Sequence, residues 1–335
     1  MQTKQKNSHI LPTEISRLLK THYYSLMASF YETQSSFLTR VYKRYNSIET
    51  ANIILCFARN SHLEIIRQRE KNLNYNLSLE NFWENINSIT KPTAKITTIV
   101  ELTGIPKETV RRKVGKLHRI GYLQKDKNSR EYSWNLLSKH KEGYFDIIGK
   151  DISNFSVFVY KFAKYLNLNT DLKKIEQELK SEFSFYWYHY LSCQLQWLKM
   201  WQTNLKDNDL ILIVLQTIIP TLQHADKNFS NFNLDNIFKV IGKTNNKGNE
   251  AAVSATAIAE VTGIPRATCI RKLEKLVNLG FLIRETKSKR YYVSQNIGER
   301  TKNIITKENV DSTIKTFSEY LAIILNSVVR VKRTA

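Results

Sequence analysis

The chain is short of the two residues that punctuate structure most strongly. Among 335 residues there are ten glycines and five prolines, and no glycine precedes Gly104. A glycine-rich loop that could cradle phosphate groups is absent. Cysteine is scarcer still: Cys56, Cys193 and Cys269 stand far apart with no CxxC pair, so reduced thiols in a cytoplasmic protein are expected. The seven histidines, among them His22, His62, His118, His140, His189 and His224, show no metal-ligand spacing and accompany no paired-carboxylate motif. The expectation from these absences is a protein without catalytic activity, metal or cofactor.

Long apolar runs are lacking too. The longest, residues 210–220, is too short to span a bilayer and is interrupted by Gln216 and Thr217. The first sixteen residues carry lysines but no apolar stretch of the secretory kind. A soluble protein with no membrane partner is expected. Acidic residues are outnumbered, 30 against 51 basic ones, giving a formal charge of +21 and a pI near 9.7, which suggests a polyanionic partner.

What is present is a repeat. Residues 97–134, TTIVELTGIPKETVRRKVGKLHRIGYLQKDKNSREYSW, return as 256–293, TAIAEVTGIPRATCIRKLEKLVNLGFLIRETKSKRYYV. The two align without a gap at an offset of 159, with roughly four positions in ten identical. Each copy carries about +5, so the positive charge is concentrated there.

Each copy reads as one supersecondary unit. Ile99 and Leu102 mark one side of a short helix, which Thr103-Gly104-Ile105-Pro106 ends in a tight turn. A second helix follows, with Val110, Val114, Leu117 and Ile120 as its apolar stripe and Glu108, Arg111, Arg112, Gly115 and Arg119 opposite. Gly121 ends it, and two short strands, Tyr122-Leu123 and 131–134, flank a polar turn. The second copy repeats each step: Ile258 and Val261, the turn 262–265, the stripe Cys269, Leu273, Leu276 and Leu279, then Gly280 and strands at 281–282 and 291–293.

These residues, Thr103-Gly104-Ile105-Pro106, Val110-Arg111-Arg112-Lys113, Leu117, Ile120-Gly121-Tyr122-Leu123 and their partners 159 positions on, resemble the winged helix-turn-helix DNA-binding domain of bacterial and archaeal transcription regulators. Many such regulators carry a small polar residue where the recognition helix begins. Proline stands there in both copies, leaving Thr109 and Thr268 as the hydroxyls expected to contact DNA. The resemblance implies that the first recognition helix presents Lys107, Glu108, Arg111 and Arg112, and the second Arg266, Ala267, Ile270 and Arg271. Arg112 and Arg271, at the same repeat position, are the leading candidates for base contact, because arginine pairs bidentately with guanine. Ile270 can only meet a thymine methyl or pack. Lys113, Lys116, Lys272 and Lys275 either contact phosphate or solvate their helices. In the wings, Lys125, Lys127, Arg130, Arg284, Lys287, Lys289 and Arg290 are expected along the backbone or in the minor groove.

The remaining sequence suggests that this organisation extends over the chain. The expected divisions are a flexible tail (1–12), an N-terminal helical segment (13–89), a first winged helix (90–137), a connector with helices (138–180), a second helical segment (181–248), a second winged helix (249–296), and a C-terminal helix with a basic tail (297–335). Residues 234–238 echo 79–83 ahead of each winged helix. The fold class expected is mainly α with small β-hairpin wings, an internally duplicated pseudo-dimer. It resembles a fused dimer of the multiple-antibiotic-resistance regulator (MarR) class, which implies two half-sites on double-stranded DNA about one turn, roughly 34 Å, apart. Since the two recognition helices differ, an asymmetric operator is expected, in a cytoplasmic, nucleoid-associated protein. The chain would act as a monomer, with further homodimerisation left open. The aromatic run 183–190, with Trp197 and Trp201, reads as interface core or as the lining of a pocket for an unidentified small-molecule effector. Two other functions fit the same pattern: a plasmid or phage replication initiator with tandem winged helices, and a winged-helix scaffold that binds protein.

Overall fold

The computed structural model describes residues 9–135, 138–228, 250–294 and 307–330, with backbone alone at 138–142, 307 and 330. The protein is mainly helical, with a few small antiparallel strand pairs. A first series of elements runs α1 (Pro12–Thr21), α2 (Tyr23–Tyr45), α3 (Ile48–Lys71), α4 (Phe82–Ser88), β1 (Thr93–Ala94), α5 (Ile96–Thr103), α6 (Lys107–Arg119), β2 (Leu123–Lys125), β3 (Tyr132–Trp134) and α7 (Ser138–Tyr165). A second runs α8 (Leu172–Ser181), α9 (Phe183–Leu205), α10 (Asn208–Asn228), α11 (Ala255–Thr262), α12 (Arg266–Asn278), β4 (Leu282–Arg284), β5 (Tyr291–Val293) and α13 (Lys307–Arg330).

The bounds of the two series correspond. Helices α8 and α9 begin and end 160 positions after α1 and α2, and α11, α12, β4 and β5 stand 159 positions after α5, α6, β2 and β3. Backbone detail follows the same offset. His22 and Glu182 divide the first two helices of each series at φ −107° and −108°. Asn46 and Lys206 end the long second helix in the left-handed region, at φ 54° and 53°. For asparagine that conformation is cheap; for lysine it is a local strain, imposed by the packed helices on either side.

Helix boundaries have local causes. Pro12 opens α1, where its missing N–H costs nothing. The Ser47 hydroxyl, the Asp171 carboxylate and the Ser254 hydroxyl each accept from an N–H in the first turn of α3, α8 and α11. The long helices then pack across the series: α2 lies chiefly against α10 and α3 against α9, while α1 packs on α13 and α8 on α7. The core this builds is strongly aromatic, with Phe30, Phe37, Phe57, Phe158, Phe183, Tyr190, Trp197 and Phe317 fully buried. The hairpin-bearing modules sit on it. Module α5–α6–β2–β3 rests on α3 and α9, and module α11–α12–β4–β5 rests on α10 and α2. In the first module β1 joins the hairpin, in the order β1-β3-β2; in the second, Val253 makes a single bridge to Tyr291.

Several expectations are corrected. Within the stretch expected as a connector with helices, 138–180, the first part is one continuous helix: α7 runs from Ser138 to Tyr165 and passes through Gly143 and Gly149. Two helical glycines cost about 1 kcal/mol each relative to alanine, and burial of Ile147, Ile148, Ile152, Phe155, Phe158 and Phe162 outweighs that. Helix α8 matches α1 in length and offset, so it opens the second series rather than ending a linker. Residues 9–12 are not free, because Ile10 is buried and its N–H and C=O are both bonded to the Asn326 side chain of α13 at 2.9 Å. The echo at 234–238 and the basic tail beyond Arg330 lie outside the described residues.

Candidate nucleic-acid interface

The turn between α5 and α6 is built from its own sequence. Thr103 Oγ1 donates to Ile99 O at 2.7 Å and accepts from Ile105 N at 3.2 Å. Thr262 does the same with Ile258 and Ile264, at the same two distances. Between them Gly104 and Gly263 take φ +68° and +76°, a region where a Cβ is strained. Ile105 and Ile264 then plug into the core, and Pro106 and Pro265 stand as N-caps with near-identical backbone angles.

Helices α6 and α12 bury Val110, Val114 and Leu117, and Cys269, Leu273 and Leu276. Ile120 and Leu279, expected on these stripes, fall just past the helix ends and are exposed, at 49% and 37%. Val261 is also exposed, at 52%, because α11 is only two turns long and turns that side to solvent. The outer face of α6 carries Lys107, Glu108, Arg111, Arg112, Lys116 and Arg119, all exposed, with Arg111 held to Glu108 at 3.3 Å. On α12 the exposed residues include Arg266, Arg271 and Lys275, with Arg266 bonded to Thr256 at 3.0 Å. Arg112 and Arg271 have no hydrogen-bond or ion-pair partner among the described residues. Thr109 and Thr268 are half-buried, and Ile270 is half-buried against the core, which leaves it less reach than its neighbours.

Lys113 and Lys272 point inward instead of outward. Lys113 Nζ donates to Ser47 Oγ at 2.9 Å and Thr50 Oγ1 at 3.0 Å, with Glu49 at 3.3 Å. Lys272 Nζ is clamped by both oxygens of Asp207, at 2.7 and 2.6 Å. Neither is available to phosphate. Each sits between two members of its apolar stripe, three residues after Val110 or Cys269 and four before Leu117 or Leu276, so the spacing alone hinted at an inward side chain. What sequence could not supply was the partner: Ser47, Glu49 and Asp207 open α3 and α10, some 65 residues away in the chain. These two openings also meet, since Ile48 N donates to Asp209 Oδ1 at 2.9 Å. Thus α6 and α12 are tied to one place, the joined N-terminal ends of α3 and α10.

The hairpins differ in how free their cations are. Lys125, Lys127 and Arg130 of the first, and Lys287, Lys289 and Arg290 of the second, are exposed, and their side chains have no partner among the described residues. Arg284 is committed: it pairs with Glu274 at 3.0 Å and lies over the Tyr291 ring. Its counterpart Lys125 is free because Gly115 stands where α12 has Glu274. The first turn is shaped by Asp126, whose carboxylate accepts from Asn128 N and Ser129 N, and these bonds hold its pKa below the usual range.

The aromatic run is core. Phe183, Tyr186, Trp187, Tyr190, Trp197 and Trp201 are buried among α3, α7 and the rest of the bundle, and the cavity beside Trp187 and Tyr144 holds only about 20 Å³. All three cysteines are buried free thiols, and burial raises the Cys56 pKa to about 12. Among the described residues no three His, Cys, Asp or Glu side chains converge as metal ligands, and no helix is long and apolar enough to cross a membrane. Comparison with protein-family models, curated proteins and solved structures gives no match in any of the three.

Proposed function

We propose that this protein is a sequence-specific double-stranded DNA-binding regulator. It reads a two-part asymmetric site with two winged helix-turn-helix modules that arose by internal duplication and act as a pseudo-dimer. The observation that carries this is the contrast between neighbouring cations. Lys113 and Lys272 are spent on anchoring α6 and α12, whereas Arg112 and Arg271, one residue earlier, are exposed and have no partner among the described residues. A free guanidinium on an anchored helix suits bidentate recognition of guanine, since the helix holds its position while the side chain reaches a base. The surrounding lysines and arginines supply phosphate contacts, and the two anchors at one end of the bundle let both helices meet one duplex.

The halves are not alike, so the site should not be palindromic. Glu108 on α6 can accept from cytosine, and its counterpart on α12 is Ala267. Selection of bound duplexes from a random pool at near-physiological salt, where nonspecific phosphate binding is suppressed, tests the reading. Enrichment of a bipartite motif with unequal halves supports it, and Arg112→Ala and Arg271→Ala should each relax discrimination in a different half. Tight, salt-sensitive binding with no enriched motif would favour an architectural or replication role, and absence of binding would remove DNA from the function.

A further inference from the structure

We infer that Lys43 and Lys199 complete the DNA interface from across the molecule, each adding a backbone-phosphate contact beside the recognition helix of the opposite series. The inference rests on the proposed DNA-binding function. Its basis is a close approach at the two turn glycines. A Cβ built on Gly104 would lie 3.2 Å from Cγ of Lys199, and one on Gly263 would lie 3.1 and 3.2 Å from Cγ and Cε of Lys43. The lysine stems therefore lie against the bare backbone of the turns. Each glycine is three residues before its recognition helix. The approach of Cε brings the Lys43 ammonium beside its turn, and the approach of Cγ roots the flexible Lys199 stem beside the other.

The assignment is crossed. Lys199 belongs to α9 but covers the turn ahead of α6; Lys43 belongs to α2 but covers the turn ahead of α12. Both lysines are exposed, and neither has a carboxylate within ion-pair distance among the described residues. They are also not counterparts of one another. At the offset of 160, Lys43 corresponds to Thr203 and Lys199 to Thr39, so the two lysines stand one helical turn apart on otherwise matching helices. Two different helix positions thus place a lysine against corresponding glycines, Gly104 and Gly263.

Covering a glycine needs only a flexible stem, which methionine would also supply. A free cation placed next to the Lys107 or Arg266 end of a recognition helix, in a chain of net charge +21, adds repulsion that an approaching polyanion relieves. Phosphate is the group that meets this geometry, because a lysine acts as a point charge with no base-reading fork.

The test is Lys43→Met, Lys199→Met and the double variant in the full chain, with Lys→Gln as a second charge-removing change and Lys→Arg as the conservative one. Binding to a fixed duplex is measured across a salt series, and the thermal midpoint checks that folding is intact. Each charge-removing variant should lower the slope of log K against log salt by about 0.9, and the double by about twice that, with base preference unchanged. Arginine should restore the slope. Unaltered slopes in the Met and Gln variants, with wild type binding DNA normally, would mean the lysines only cover the glycines and would overturn the inference. Wild-type protein with no affinity for DNA would instead overturn the functional reading, and the inference with it.

Discussion

Gln194 Nε2 donates to Gln34 Oε1 at 2.7 Å in the fully buried centre of the bundle. The two glutamines occupy the same position on α2 and α9, 160 residues apart, so the bond joins a residue to its counterpart. A pair related in this way makes one bond and leaves Gln34 Nε2 and Gln194 Oε1 without partners. Gln34→Leu alone strands a buried amide and should cost about 1–3 kcal/mol. Gln34→Leu with Gln194→Leu removes both amides and should recover most of that loss. A double-mutant cycle by urea unfolding measures the coupling, and strict additivity would show that the amides do not act as a pair.

Arg40 of α2 and Asp151 of α7 form a second buried contact, an ion pair that also draws Ser36 Oγ to Arg40 at 2.7 Å. Burial lowers the Arg40 pKa but leaves it charged. The second series has Met200 at the position of Arg40, so this pair exists once. Asp151→Ala leaves the guanidinium uncompensated and should destabilise by about 3–5 kcal/mol, whereas Arg40→Met with Asp151→Leu should be much milder. Denaturant midpoints of the two variants decide between these outcomes.

His62 gives the stability a pH dependence. It is fully buried, stacked on Phe82 at 4.8 Å, with Nε2 bonded to Tyr144 Oη at 3.2 Å. Burial lowers its pKa to about 3, against an ordinary value near 6.5. Between those values the unfolded chain binds a proton that the native state refuses, so stability falls as pH drops below 6.5, by up to about 1.4 kcal/mol per unit. Above pH 6.5 both states are neutral and the effect vanishes. Thermal melts from pH 7.5 to 5 should show a shallower loss for His62→Phe than for wild type; parallel curves would assign the acid sensitivity elsewhere.

How much of this could be read in the sequence depended on range. The turns at Thr103 and Thr262, the stripes through Val114 and Leu273, and the glycine ends at 121 and 280 follow from neighbours a few residues away, and each is legible as a local pattern. Ile120 and Leu279 fall outside the buried stripes because the apolar periodicity of the sequence continues one step past the helix ends at Arg119 and Asn278. Helix α7 was hidden by Gly143 and Gly149, whose local cost is overridden by long-range burial. The match of α8 to α1 rests on three identical residues in a ten-residue stretch, Ile15, Leu19 and Lys20 against Ile175, Leu179 and Lys180, too short to stand out in the sequence; bounds, C-terminal caps and packing reveal it. At the candidate interface the charged residues are visible and the spacing of Lys113 and Lys272 hints that they turn inward, but their partners are not legible, since Ser47, Glu49 and Asp207 reach them through the tertiary fold alone.

That anchoring yields the last prediction. Lys113 and Lys272 fix α6 and α12 to the openings of α3 and α10, and Asp209 binds those openings to each other through Ile48 N. Under the proposed function this linkage sets the separation of the two recognition helices, and therefore the half-site spacing the protein accepts. Asp207→Ala frees Lys272 from its clamp, and Asp209→Ala unties Ile48. Neither residue is on the outer face of α6 or α12, so binding to an isolated half-site should be unchanged. Affinities for duplexes whose halves are moved together or apart by one base pair should separate the cases. Wild type should prefer one spacing by several-fold, and both variants should flatten that preference, while Arg112→Ala should weaken binding at every spacing alike. A spacing profile that survives both aspartate changes would show that packing of the long helices, not this cluster, holds the two readers apart.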